Sequence, residues 1–126
     1  MTLAIVHSRA LTGIHAQRVT IEVHLQNGLP TLAMVGLPAT AVKEAKDRVR
    51  SAITNSQFDF PIQRITVNLA PADLPKEGAR YDLAIALGIL VASGQLAQSA
   101  LNNLECSAEL ALSGKLRPIE GVIPIV

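Results

Sequence analysis

The stretch "RVTIEVHLQNGLPTLAMVGLPATAVKEAKDRVRSAI", residues 18–53, changes its apolar period partway along, and that change sets the fold class. Over residues 18–26, Val19, Ile21, Val23 and Leu25 alternate with Arg18, Thr20, Glu22, His24 and Gln26. This is the period of a strand with one buried and one wet face. Asn27-Gly28 supplies residues suited to a tight turn, and a further short strand is expected near 31–35. From residue 36 the period lengthens. Val42, Ala45, Val49 and Ile53 recur at spacings of three and four, while Lys43, Glu44, Lys46, Asp47, Arg48 and Arg50 fill the other face. That pattern predicts an amphipathic surface helix, with Glu44 and Arg48 as an i,i+4 ion pair and Asn55 as its end signal.

Working outward, residues 3–10 read as a preceding strand joined through a Thr12-Gly13 turn, which makes the start of the chain antiparallel. "RITVNLA", residues 64–70, alternates again, with Ile65, Val67 and Leu69 on the inward side. A helix is expected over 83–93, with Asp82 as its N-cap and Gly94 as the glycine just past its end. It is apolar on every side, which requires burial all round, and Gly88 within it costs about 1 kcal/mol of helix propensity unless another backbone packs closely there. "ECSAELALSGKLRP", residues 105–118, supplies a strand, a Ser113-Gly114 turn and a second short strand. The expectation is an α+β fold with about six strands in a mixed sheet and two main helices, residues 1–126 forming one domain. The apolar ending "LRPIEGVIPIV" has no polar tail and reads as if cut from a longer chain.

Composition excludes several functions. With one Tyr, two Phe and no Trp the core must be aliphatic, and the stacking platforms of single-strand nucleic-acid readers are largely missing. Eleven basic against ten acidic residues leave a net charge of +1, which argues against a general polyanion binder and leaves room only for a local basic patch. The single Cys106 rules out an intrachain disulfide and is expected to be a small buried thiol, so a reducing cytoplasm fits best. The N-terminus lacks the layout of a signal peptide, and the longest apolar run, 83–92, is about half of what a bilayer crossing needs, so no membrane partner is expected.

Chemistry-bearing motifs are sparse. "PKEGAR" lacks the framing glycines and the Lys-Ser or Lys-Thr of a phosphate loop, and Asp82 at a helix start would repel phosphate from the amides that usually bind it. His7, His15 and His24, eight and nine residues apart, read as strand histidines without a supporting carboxylate cluster, so no metal is expected. No G-x-S-x-G elbow is present.

Three long segments carry a resemblance: "GLPATAVKEAKDRVRSAI" (36–53), "ITVNLAPADLPKEGARYDLAIALGIL" (65–90) and "SAELALSGKLRPIEGV" (107–122). Together they make essentially the whole chain resemble the N-terminal domain of the magnesium-chelatase-like AAA+ ATPases of the ComM (YifB) type. Such domains are similar to the proteolytic domain of Lon and to the C-terminal domain of the recombination protein RadA. The resemblance implies a Lon-like fold followed by an ATPase module that forms ring hexamers and drives DNA branch migration in recombination and natural transformation. ATP and Mg2+ would belong to that missing module, with no cofactor in this domain. The implied partners are its own AAA+ module, neighbouring protomers and DNA.

In Lon-type proteases the matching loop reads Pro-Lys-Asp-Gly-Pro-Ser-Ala-Gly, with the Ser as nucleophile. Here "PKEGARYD" places Arg80 at the Ser position, and "RPIEGVI" places Ile123 where the general-base Lys would stand. Ser-Lys catalysis needs a hydroxyl and an amine within hydrogen-bond reach, and neither is at its position. The resemblance therefore implies a non-catalytic domain. Lys76 and Arg80, then Arg50 and Arg64, are the candidates for DNA phosphate contacts; the competing assignment pairs Arg80 with Glu77 or Asp82 to pin the loop. The alternative functions are an ATP-dependent serine protease domain and a magnesium-chelatase-related subunit.

Overall fold

The computed structural model describes residues 2–12, 15–70, 78–100, 109–110 and 116–117. Two long strands, β1 (Thr2–Thr12) and β2 (His15–Gln26), pair antiparallel from Thr2↔Leu25 to Thr12↔His15. β3 (Thr31–Val35) leads into helix α1 (Ala39–Asn55), and β4 (Arg64–Ala70) follows. A 3-10 turn at Gly78–Tyr81 runs directly into helix α2 (Asp82–Ala92), and a further 3-10 turn covers Gln98–Ala100. β5 (Glu109–Leu110) and β6 (Leu116–Arg117) are short and antiparallel.

The fold is α+β, but its strands are arranged differently from the expected single sheet. β1 to β4 form one mixed sheet in the order β1-β2-β4-β3, and β5 and β6 form a separate two-stranded ladder. β3 does not pair with β2 through the Asn27-Gly28 turn. It lies beyond β4 and parallel to it, because α1 carries the chain back over the sheet, and such a crossover returns a strand in the same direction. The Thr12-Gly13 and Ser113-Gly114 turns lie wholly or partly outside the described residues.

One face of the sheet is buried. Val19, Ile21, Val23 and Leu25 of β2 and Ile65, Val67 and Leu69 of β4 share one core with Ile85 and Ile89 of α2, and each such aliphatic side chain contributes about 1.5–3 kcal/mol on burial. α2 lies across β1 and β2, and α1 packs on α2, contributing Val49, Ala52 and Ile53 to the same core. α2 is apolar on all sides because β1, β2, α1 and β5 all lie against it. Gly88 marks the closest approach, although its neighbours are side chains and not backbone: a Cβ there would lie 2.5 Å from Val23 Cγ2 and 3.4 Å from Val6 Cγ2.

Both helices end in the same hydrogen-bond pattern. After α2, Gly94 takes φ +81°, its N–H donates to Val91 O, and the Gln95 N–H donates to Leu90 O at 2.8 Å. After α1 the equivalent left-handed residue is Gln57, φ +70°, with Phe58 N–H donating to Ile53 O.

Candidate functional site

The junction where the chain enters α2 is the place to look for chemistry. Tyr81 occupies the cap position with helical geometry (φ −99°, ψ −1°), because the 3-10 turn leads straight into the helix. Asp82 is therefore the first residue of α2 and not its cap. Its fully buried carboxylate accepts from Arg48 Nε at 2.5 Å and Arg48 Nη2 at 3.3 Å. The positive end of the helix dipole favours the same charge. Arg48 also meets Glu44 at 3.6 Å, the expected i,i+4 pair.

By sequence Arg48 reads as a solvated helix charge, yet it lies on the core stripe itself, three residues after Ala45 and four before Ala52, both buried. The one signal for it is that position on the stripe, where a cation needs either a route to solvent or an acid to face it.

Arg80 is 7% exposed, and its Nη1 donates to the carbonyl of Arg9 at 3.5 Å. That carbonyl belongs to the edge strand β1, on the side away from β2. The guanidinium thus sits against the sheet edge, where solvent is nearly excluded. Asp82, one of the two expected partners of Arg80, is held by Arg48; the other, Glu77, lies outside the described residues, as do Lys76, Ile123 and Cys106.

The remaining candidates are spread apart. Arg50 is exposed on α1, with its guanidinium carbon 5.1 Å from the centre of the Phe60 ring. Arg64 is exposed on the outer face of β4, between Gln26 and Thr31 of the flanking strands. His7 stands opposite Thr20 and His24 opposite Leu3, so the register holds them about 13 Å apart along the sheet. His15 is opposite Thr12. Among the described residues no three His, Cys, Asp or Glu gather as a metal site, and no helix is long and apolar enough to cross a membrane.

Two glutamines that sequence reasoning missed hold loops to the sheet and to each other. The Gln98 amide brackets the backbone of Ile5, accepting from its N–H at 3.1 Å and donating to its carbonyl at 2.9 Å. Gln95 does the same at Asp59, at 2.9 and 2.8 Å. No local pattern announces such long-range brackets.

These features define an α+β domain, a mixed four-stranded sheet covered on one face by two helices, whose loop-to-helix junction is closed by two arginines. The chain belongs to the family of the magnesium-chelatase subunit ChlI: the family model "Subunit ChlI of Mg-chelatase" matches residues 21–126. It is 64% identical over 126 residues to the Competence protein ComM of Haemophilus influenzae, covering 100% of this chain and 25% of that protein. It is 63% and 58% identical to the proteins named YifB of Salmonella typhimurium and Escherichia coli, covering 98% of this chain and 24% of each. The chain spans about a quarter of the length of these relatives.

Proposed function

We propose that this chain is a non-catalytic, Lon-like accessory domain of a ring-forming AAA+ ATPase that acts on DNA in recombination and natural transformation. The observation that carries the non-catalytic part is the placement of Arg80. At the position that the resemblance assigns to a nucleophile stands a guanidinium, permanently charged and without an attacking lone pair, packed against the edge of β1. The Arg48–Asp82 pair behind it fills the junction with further charge. Such a junction can hold two elements together; it cannot form an acyl intermediate.

The motor role rests on the family membership and on the name of the 64% identical relative. In this scheme the ATPase module binds ATP and Mg2+ and works in the cytoplasm as a hexamer. The domain described above packs protomers together and contacts DNA through Lys76 and Arg64, while Arg80 pins the loop and Arg50 has the separate task argued below.

A branch-migration assay on a synthetic four-way junction with the full-length protein tests this. ATP-dependent product with no peptide hydrolysis in a fluorogenic or casein assay is expected. Lys76→Glu with Arg64→Glu should reduce the log-log salt slope of junction binding by about one for each phosphate no longer neutralised. Binding identical to wild type would remove DNA from the set of partners this domain touches, and peptide turnover would restore the protease reading. The chelatase-subunit alternative is favoured by the family description alone, and normal metal-chelatase capacity in a deletion strain would end it.

A further inference from the structure

At the end of the sheet opposite the Arg80 junction, the 27–30 turn and the 58–63 segment come together, joined by the Thr31 N–H donating to Gln63 O at 3.4 Å. Between them lies a cleft of about 200 Å³ lined by Arg50, Phe60, Pro61, Ile62, Pro30 and Thr31. Ile62 is 84% exposed on its rim, and Leu29, next to Pro30, is 83% exposed. Single exposed aliphatic residues are ordinary on a protein surface. Two of them beside two prolines and a half-buried Phe60, gathered round one cation, form a patch with a chemical character.

We propose that this cleft docks a carboxylate-bearing apolar segment of the same polypeptide, from the part that lies beyond this domain in its full-length relatives. The inference rests on the reading that the domain serves a longer motor protein. Arg50 is held over Phe60, so its fork is oriented in advance for a carboxylate, and Thr31 lines the same cleft. None of the residues lining the cleft is acidic, and Arg50 is the one cation among them. The complement of that surface is an acid flanked by aliphatic side chains. Nucleic acid fits less well, because a phosphate track calls for several cations with polar neighbours, while Leu29, Ile62, Pro30 and Pro61 offer apolar area. The relatives supply ample chain for the occupant, since the match covers 25% of the ComM protein and leaves three times as much again.

The test places the photo-cross-linker p-benzoylphenylalanine at Ile62 in the full-length protein, with fragments identified by mass spectrometry and ATP turnover measured alongside. The expected adduct is a peptide from outside residues 1–126 of the same polypeptide, with Asp or Glu within a few residues of the attachment point. Arg50→Glu should lower its yield by about tenfold, the scale of removing a charged partner at an interface. Reversing the identified acid to Arg should restore it. Arg50→Gln, which removes the charge and keeps the stem, serves if Arg50→Glu lowers the melting temperature. Adducts to DNA or to a different protein, no adduct, or a yield indifferent to both Arg50 variants would overturn the proposal. A wild-type protein without ATP turnover would instead overturn the motor reading and leave the docking result standing.

Discussion

Arg48 and Asp82, on different helices and 34 residues apart, share a 2.5 Å hydrogen bond in which the carboxylate is fully buried and the arginine side chain is 17% exposed. The pair fixes α1 on the first turn of α2. Removing Arg48 takes from the buried Asp82 carboxylate the guanidinium that offsets its desolvation, so Arg48→Met should destabilise the domain by about 3–5 kcal/mol, while Arg48→Met with Asp82→Leu should recover much of that stability. Chemical denaturation of the two variants checks it. A single variant as stable as wild type would show that the junction does not depend on the pair.

Much of the fold is written in local periods, and what escapes them is long-range. The alternation in β2 and β4 locates both strands because each buries one face, and the end of "RITVNLA" falls at Ala70 in sequence and structure alike. The three- and four-residue spacing locates α1, and the C′ glycine locates the end of α2. The position of β3 beyond β4 is not legible, since neither the turn nor the strand records which neighbour it pairs with. The site is legible at Arg80 through motif comparison, but its bond to Arg9 joins residues 71 apart. Arg48 reads as a wet-face residue only because charge outweighs its position on the stripe.

Gly88 should resist enlargement. Alanine there gains about 1 kcal/mol of helix propensity, but its methyl would meet Val23 Cγ2 at 2.5 Å, so either the Val23 side chain or the helix must shift. Overpacking of this kind costs about 1–3 kcal/mol, so the net effect of Gly88→Ala should be a destabilisation of up to about 2 kcal/mol. Urea midpoints at unchanged slope measure it. A stabilised variant would mean that α2 rides higher above β1 and β2 than described.

Gln57 is the opposite case, a residue with a side chain in a position suited to glycine. Its φ of +70° closes α1 with the same bond pattern that Gly94 completes after α2. Gln57→Gly should stabilise the domain by about 0.5–1 kcal/mol, the relief of left-handed strain less the added freedom of the unfolded chain. Gly94→Ala should destabilise by a similar amount. Thermal melts of both variants, moving in opposite directions, test the equivalence of the two caps.

Gln98 guards an exposed edge. β1 is an outer strand, and the groups it turns away from β2 would template another strand. The Gln98 amide occupies them at Ile5, a residue 39% exposed, and Arg80 occupies the carbonyl of Arg9 further along. Gln98→Ala removes both bonds to Ile5. It should lower stability by about 1–2 kcal/mol and make the edge available for self-association. Gln98→Glu keeps the acceptor for the Ile5 N–H but sets a carboxylate against the Ile5 carbonyl, so it should reduce stability while its charge keeps copies apart. Light scattering during heating separates these outcomes, with aggregation expected for the alanine variant and not for the glutamate one. Equal aggregation of both variants would point to global unfolding, and not to an opened edge, as the source of association.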